Sequence, residues 1–273
     1  VLTSVIIPTF DRRELVREAV ASVLAQQGAA FELIVVDDGS TDGSAAALEA
    51  EFGSALTVLR TANRGVAAAR NAGVAVSRGE LLAFLDSDDT WLPGKLAAQV
   101  AVFTADPQVA FCHTQEVWVR NGRRMRPHPK HRKPAGIAFA PSLRLCLVGA
   151  STVILRRTLF DRVGGFAEDL PACEDYDLWL RIARDTPFHL IDEPFVVKRD
   201  GHGGQLSHRY WGMDRFRIRS LARLLASGTL DAAQTAATRA VLFEKCGILA
   251  NGAERRGRGA EARSWLELAE THA

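Results

Sequence analysis

The chain is poor in the residues that mark several common protein classes. It has four cysteines in 273 residues (Cys112, Cys146, Cys173 and Cys246), and none forms a C-x-x-C pair. That spacing argues against a zinc site or a disulfide framework and fits a reducing compartment, so a cytoplasmic protein is expected. There is no run of about 18 apolar residues, hence no expected membrane-spanning helix, although peripheral contact with the inner face of a membrane stays open. An excess of one charge sign is also missing. The 34 Lys and Arg against 32 Asp and Glu leave +2, with no global signature of nucleic-acid binding. No G-x-G-x-x-G follows the first apolar run, which disfavours a dinucleotide-dependent dehydrogenase. The chain starts at Val1 rather than Met. The expectation is that a few native residues precede it, so a targeting segment there is not judged.

What is present is an ordinary globular composition, 47% hydrophobic and 24% charged, long enough for one large domain with an appendage. Basic character is local: Arg120, Arg123, Arg124, Arg126, Lys130, Arg132 and Lys133 fall in one stretch with three prolines and two histidines. It reads either as a solvated loop or as a flap that meets an acidic or phosphorylated ligand or an anionic membrane surface.

Two acidic clusters each close a short apolar run: Leu33-Ile34-Val35-Val36-Asp37-Asp38-Gly39-Ser40 and Leu81-Leu82-Ala83-Phe84-Leu85-Asp86-Ser87-Asp88-Asp89. Such runs read as buried parallel strands, and carboxylates at their carboxyl ends lie where open α/β sheets bind ligands. Three carboxylates within four residues repel one another and call for a cation or strong hydrogen bonds. An N-cap before a helix at Pro93 is the plainer alternative.

The first hundred residues alternate strand and helix patterns. Val5-Ile6-Ile7 precedes a helix with Val16, Ala19, Val20 and Val23 on one face. A strand at 31–36, a Ser40-Thr41-Asp42 cap, a strand at 56–59, a helix at 65–77 and the strand before Asp86 follow. This predicts an α/β fold with a mostly parallel sheet and helices on both faces. Short strands are expected at 109–112 and 116–119, and a helix with an acidic first turn at Glu174-Asp175-Tyr176-Asp177. From 208 to 273 the pattern is helical throughout, with breaks near Ser227-Gly228 and Asn251-Gly252. That appendage is expected to pack on the main domain of residues 1–207, with a partner subunit (a homodimer) or anionic lipid as its other uses.

The order Val5-Ile6-Ile7-Pro8-Thr9-Phe10, Val36-Asp37-Asp38-Gly39-Ser40-Thr41-Asp42, Asn63-Arg64-Gly65, Phe84-Leu85-Asp86-Ser87-Asp88-Asp89 and Glu174-Asp175 resembles family 2 glycosyltransferases over about residues 1–205. The resemblance implies the GT-A fold, an inverting reaction, a nucleoside-diphosphate sugar donor (usually a uridine one), and Mn2+ or Mg2+. It implies a glycan, lipid-linked sugar or glycoprotein acceptor in cell-envelope polysaccharide biosynthesis. Pro8, Thr9 and Asp11 then border the nucleoside, Asp38 accepts from the base with Asp37 beside it, and Arg64 reaches the nucleotide or its phosphates. Asp86 and Ser87 face the ribose or sugar, Asp88 is the direct metal ligand, and Asp89 assists. Asp175 is implied as the catalytic base and Glu174 as an acceptor-side carboxylate. In the Asp200-Gly201-His202-Gly203-Gly204-Gln205-Leu206-Ser207-His208 segment, His202 is the expected further metal ligand, with His208 as its competitor. Position 10 is Phe where many relatives carry Tyr or Asn, and the Q-x-x-R-W motif of processive members is absent.

The residue types suit that chemistry independently. A hard cation held by carboxylates neutralises a departing diphosphate. A positioned carboxylate removes the proton of a poorly nucleophilic hydroxyl. Two other functions compete: a sugar nucleotidyltransferase, and a non-catalytic nucleotide-sugar-binding protein. The first would show a glycine-rich triphosphate loop where Pro8-Thr9-Phe10-Asp11-Arg12-Arg13 stands. The second would more readily have lost Asp88 or Asp175.

Overall fold

The computed structural model describes residues 1–126, 128–201 and 209–272. Four apolar runs form its parallel half: β1 (Thr3–Thr9), β2 (Phe31–Asp37), β3 (Thr57–Arg60) and β4 (Leu81–Phe84). Five more strands, β5 (Thr90–Trp91), β6 (Phe111–Arg120), β7 (Arg123–Met125), β8 (Ile154–Arg156) and β9 (His189–Asp200), complete a mixed sheet. Its order is β3-β2-β1-β4-β8-β6-β9-β5, with β7 attached to β6. β8 is antiparallel to both β4 and β6, so β6 and its parallel neighbour β9 run in the direction of β4.

Both faces of the sheet are covered because successive side chains point to opposite sides. Val5, Ile7, Leu33, Val35, Leu81 and Ala83 meet the apolar stripe of α1 (Arg13–Leu24) and of α4 (Lys95–Ala105). Ile6, Ile34, Val36, Leu82 and Phe84 meet α3 (Val66–Val76), α6 (Arg157–Val163) and α7 (Glu174–Ala183). Each such side chain contributes roughly 1.5–3 kcal/mol by leaving water. α3 lies close on the strands because Gly73 faces them; a Cβ there would stand 2.6 Å from Ile6 Cγ2. α2 (Ser44–Phe52) and the short α5 (Phe139–Ser142) complete the cover.

The chain moves outward from β1 to β2 and β3, then returns to place β4 on the other side of β1. This reversal makes the β1/β4 edge a topological switch point, where a crevice opens beyond the strand ends. Pro8 fits there: β1 pairs with β4 only as far as Ile6, so the missing N–H falls where that ladder has ended.

Several elements depart from the sequence expectation. The two strands expected at 109–112 and 116–119 are one, β6, because polar His113 and Thr114 between them are fully buried. Its pairing with β9 slips at Thr114/Gln115 and Gln115/Glu116, where Pro194 is accommodated. The basic stretch is more than a solvated loop: Asn121 and Gly122, at φ 50° and 74°, turn β6 into β7 as a tight hairpin, and Lys133 is buried against Glu116. Pro93 precedes α4 rather than opening it, with Gly94 at φ 85° in between.

Three helices follow: α8 (Asp214–Ala226), α9 (Ala232–Glu254) and α10 (Gly259–Thr271). The break expected near Asn251-Gly252 falls a few residues later, between Glu254 and Gly259. α9 runs to Glu254, since packing of Ala250 and Ala253 on Ala262 outweighs the roughly 1 kcal/mol helix penalty of glycine. Phe216, Ile218, Leu221 and Leu224 of α8, with Val241, Leu242 and Cys246 of α9, join the apolar cluster around α7. The boundary at 207/208 falls outside the described residues. Among the described residues no helix is long and apolar enough to cross a membrane.

His113 gives the fold a pH signature. It is fully buried, with Nε2 2.8 Å from the Pro134 carbonyl and Nδ1 without a partner. Burial, aided by the Lys133 charge, pushes its pKa from 6.5 down to about 3. The unfolded chain therefore takes a proton below pH 6.5 that the folded chain refuses until about 3. Stability contributed by this site is lost as pH falls through that window, by up to about 1.4 kcal/mol per pH unit. Urea unfolding of His113→Gln should show a flatter pH dependence than wild type; identical slopes would contradict the assignment.

Candidate active site

The loops after β1, β2 and β4 build one cleft of about 320 Å³ with the start of α7 and the end of β9. After β1, Asp11 adopts φ 48° and turns its carboxylate outward. Its Oδ1 accepts from the Thr41 N–H at 2.7 Å and the Asp42 N–H at 3.3 Å, stapling this loop to the one after β2. Arg12 turns inward, with Nη1 2.9 Å from Asp88 Oδ2.

After β2, Asp37 and Asp38 are both buried. Asp37 Oδ1 accepts from the Ser40 N–H at 2.8 Å and shapes the turn. Asp38 accepts from the N–H groups of Arg64 (3.0 Å) and Gly65 (2.7 Å), capping the entry to α3. Gly65 sits at φ 94°, which a glycine adopts freely. Pro8, Thr9 and Asp38 line the cleft, whereas Asp11, Asp37 and Arg64 do not. The Arg64 guanidinium is exposed and bonds Glu168 at 2.6 Å.

Past β4 the Asp86, Asp88 and Asp89 carboxylates each offer an oxygen within 4.8 Å of the others. Asp89 is the buried one. Its Oδ1 accepts from the Arg199 N–H at 3.0 Å and its Oδ2 from the Ser151 hydroxyl at 2.7 Å. Ser151 Oγ also accepts from the Asp86 N–H, so one hydroxyl ties both ends of the acidic turn. Burial, then repulsion from Asp88 and Asp86, pushes the Asp89 pKa well up.

The triad draws in a buried arginine. Arg70, only 3% exposed on α3, donates to Asp86 Oδ1 at 2.6 Å and Glu174 Oε1 at 2.5 Å, over the Phe166 ring at 5.1 Å. Burial alone would lower its pKa, but Asp86 and Glu174 hold it above the ordinary value. Burial pushes Glu174 up to about 7 against the pull of Arg70, with Asp175 adding repulsion.

Asp175 faces the cleft one residue further along α7. Its Oδ1 accepts from the Tyr176 N–H at 2.7 Å and its Oδ2 from the Cys146 thiol at 3.3 Å. The Tyr176 hydroxyl donates to the Leu143 carbonyl at 2.5 Å, and Trp179 Nε1 to the Val148 carbonyl at 2.9 Å. The 143–148 segment is thus strapped to the helix that carries Asp175. Lys198 of β9 completes this wall. Burial lowers its pKa, but Glu116, Asp89, Asp86 and Asp175 together hold it above normal. Glu116 is itself held down to about 2, its burial outweighed by Lys133 and Lys198.

A hard divalent cation fits this donor set. Carboxylate oxygens are its preferred ligands, and a cation would relieve the repulsion that raises Asp89. Asp89 commits both oxygens to the wall, leaving Asp86 and Asp88 as the residues that would hold the ion, with Arg12 yielding at Asp88. His202 and His208 lie outside the described residues.

The structure therefore gathers Pro8, Thr9, Asp38, Asp86, Ser87, Asp88, Glu174 and Asp175 around one space. Sequence reasoning missed Arg70, Ser151, Cys146 and Lys198. Only Arg70 left a signal: it is the sole charge in α3 and shares a face with Ala67 and Val74. Trp179 and Phe166 are buried core.

Residues 4–164 match the family model described as glycosyl transferase family 2. The UDP-Glc:alpha-D-GlcNAc-diphosphoundecaprenol beta-1,3-glucosyltransferase WfgD of Escherichia coli is 31% identical over 200 residues, 72% of this chain and 76% of that protein. The succinoglycan biosynthesis protein ExoU of Rhizobium meliloti is 34% identical over 243 residues, 82% of this chain and 69% of that protein. An uncharacterized glycosyltransferase of Rickettsia felis is 32% identical over 215 residues, but the chain spans only 35% of its length. Among solved structures, S. aureus TarS 1-349 in complex with UDP-GlcNAc superposes with TM-score 0.78 at 22% identity, covering 98% of this chain and 82% of that one. Mannosyltransferase PcManGT from Pyrobaculum calidifontis, in complex with GDP-Man and Mn2+, gives 0.62 at 22% identity, covering 98% and 86%. Likeness at this identity establishes the GT-A fold.

Arg70 is the group whose loss should be felt most. Arg70→Met leaves two carboxylates without their shared cation, one of them fully enclosed, and should lower unfolding free energy by about 3–5 kcal/mol. Adding Glu174→Gln should recover part of that loss in denaturant titrations. A single-variant loss within error of zero would contradict the bridge.

Proposed function

The chain belongs to glycosyl transferase family 2, and we propose that it moves a sugar from a nucleoside-diphosphate donor, a uridine one, to an acceptor hydroxyl with inversion at the anomeric carbon. One observation carries this reading. Asp38, the Asp86–Asp89 turn and Asp175 come from three separate elements and face a single cleft at the sheet's switch point. A nucleoside, a diphosphate and an acceptor hydroxyl need such a set of three carboxylate positions.

Pro8, Thr9 and Asp38 take the nucleoside. Asp38 uses its N–H partners to stay fixed while its remaining lone pairs accept from the base. Asp37 and Asp11 hold the two loops in register from outside, and Arg64 would reach the donor phosphates by leaving Glu168. Asp86, Ser87 and Asp88 meet the ribose, sugar and diphosphate, with Asp88 the principal metal ligand and His202 the proposed further one. When bound, Mn2+ or Mg2+ neutralises the charge that develops on the departing diphosphate. Glu174 supports the acceptor side of the wall through Arg70.

Asp175 removes the acceptor hydroxyl proton as that oxygen attacks the anomeric carbon. The bond from this carbon to the diphosphate oxygen breaks on the opposite side, so the configuration inverts. The partners of Asp175, a backbone N–H and a thiol, hold the carboxylate without supplying an ion pair. The acceptor is a glycan, lipid-linked sugar or glycoprotein of cell-envelope polysaccharide synthesis. The diphosphoundecaprenol named for the Escherichia coli relative supports a lipid-linked acceptor, and the succinoglycan named for the Rhizobium one supports polysaccharide synthesis. The complex of the S. aureus structure supports a uridine donor.

Asp175→Asn keeps size and hydrogen bonding but removes the proton acceptor. Sugar transfer should fall by about 10²–10⁴-fold while UDP binding by calorimetry is unchanged. Near wild-type transfer by this variant would overturn the assignment.

A further inference from the structure

The chain's net charge of +2 hides a segregation of charge at the cleft mouth. Between Glu116 and Asp161 there is no acidic residue. Within that stretch the β6–β7 hairpin stands clear of the body, with every residue from Arg120 to Arg126 exposed. Arg120 is neutralised by Asp200, but Arg123, Arg124 and Arg126 have no carboxylate partner among the described residues. Met125 sits between them, 43% exposed.

β6 runs in the direction of β4, so this hairpin rises from the sheet edge that carries the cleft. Trp118 of β6 is the register partner of Lys198, which lines the cleft wall. A second feature shares that rim. Trp211, 51% exposed, lies two residues from Arg209 and two from Met213, both in the wall. Arg215 and Arg256 lie 4.3 and 5.7 Å from its ring, and neither has a carboxylate partner among the described residues.

Exposed Arg123, Arg124, Arg126 and Arg256, without carboxylate partners among the described residues, together with an exposed indole and a thioether, match the chemistry of a bilayer interface. Basic side chains gain about 1 kcal/mol each near an anionic leaflet, and tryptophan prefers the headgroup zone. We propose that the β6–β7 hairpin and Trp211 dock the cleft mouth onto an anionic phospholipid surface. Docking in this pose would present the cleft to an acceptor anchored in that bilayer, which deepens the function proposed above. The interaction itself involves neither donor nor acceptor.

The test is co-sedimentation with phosphatidylcholine vesicles with and without phosphatidylglycerol, with no donor present. Wild type should bind only the phosphatidylglycerol vesicles and be released by salt. Arg123→Gln/Arg124→Gln/Arg126→Gln should lower the partition coefficient by about a hundredfold, at roughly 1 kcal/mol per charge. Trp211→Ala should weaken it further, and both variants should bind UDP as wild type does. Asp175→Asn should sediment like wild type, so this proposal and the transferase reading fail separately. Failure of wild type to sediment, unchanged binding by the triple variant, or binding to soluble dextran sulfate but not to vesicles would each overturn the docking surface.

Discussion

The bridge from Arg70 to Asp86 and Glu174 is the contact on which the cleft depends. It joins the turn after β4, which faces the proposed diphosphate, to the first residue of the helix that carries Asp175. Without a cation at this point, two carboxylates on separate elements would repel one another, with Glu174 buried. With it, one guanidinium holds both, through hydrogen bonds of 2.5 and 2.6 Å. A lysine would be a poor substitute, since it has no planar fork with which to hold two anions at once.

The remaining walls are built by the same balance of charge. Arg12 meets Asp88, while Lys198 lies in the field of Asp89, Asp86, Asp175 and Glu116. Ser151 and the Arg199 backbone N–H hold Asp89 by hydrogen bonds instead. The acidic turn is therefore compact because cations surround it, and the partner at Asp88 is less buried than the one at Asp86. In the proposed metal site the partly exposed Arg12 is therefore the cation that gives way, while the buried Arg70 stays on Asp86.

Much of the fold was legible because it rests on short apolar runs ending in turn formers. The strands ending at Thr9, Asp37 and Phe84 and the acidic start of α7 follow from local pattern alone. β9 was not legible, since Asp192, Glu193, Pro194, Lys198 and Arg199 break any strand pattern; its register is set by β6 and its charges by the cleft. Lys133 looked like one more solvated cation, but the distant Glu116 pulls it inside. Ser151 and Cys146 belong to loops with no periodicity, and only the fold brings them to Asp89 and Asp175. Among the acidic candidates, the sequence pointed to turns that border the cleft but not to the orientation of each side chain. Asp38 and Asp88 face the cleft, while Asp11 and Asp37 spend their oxygens on backbone N–H groups.

In the proposed donor site the Asp86–Asp88 turn and Asp38 together hold a uridine diphosphate group with the help of a divalent ion. The most direct test is calorimetric titration of UDP into wild type and Asp88→Ala, each with Mn2+ and with EDTA. Wild type should bind UDP more tightly with Mn2+ than with EDTA, and Asp88→Ala should remain folded but lose that difference. Equal affinity of wild type for UDP under both conditions would contradict the metal-assisted donor site.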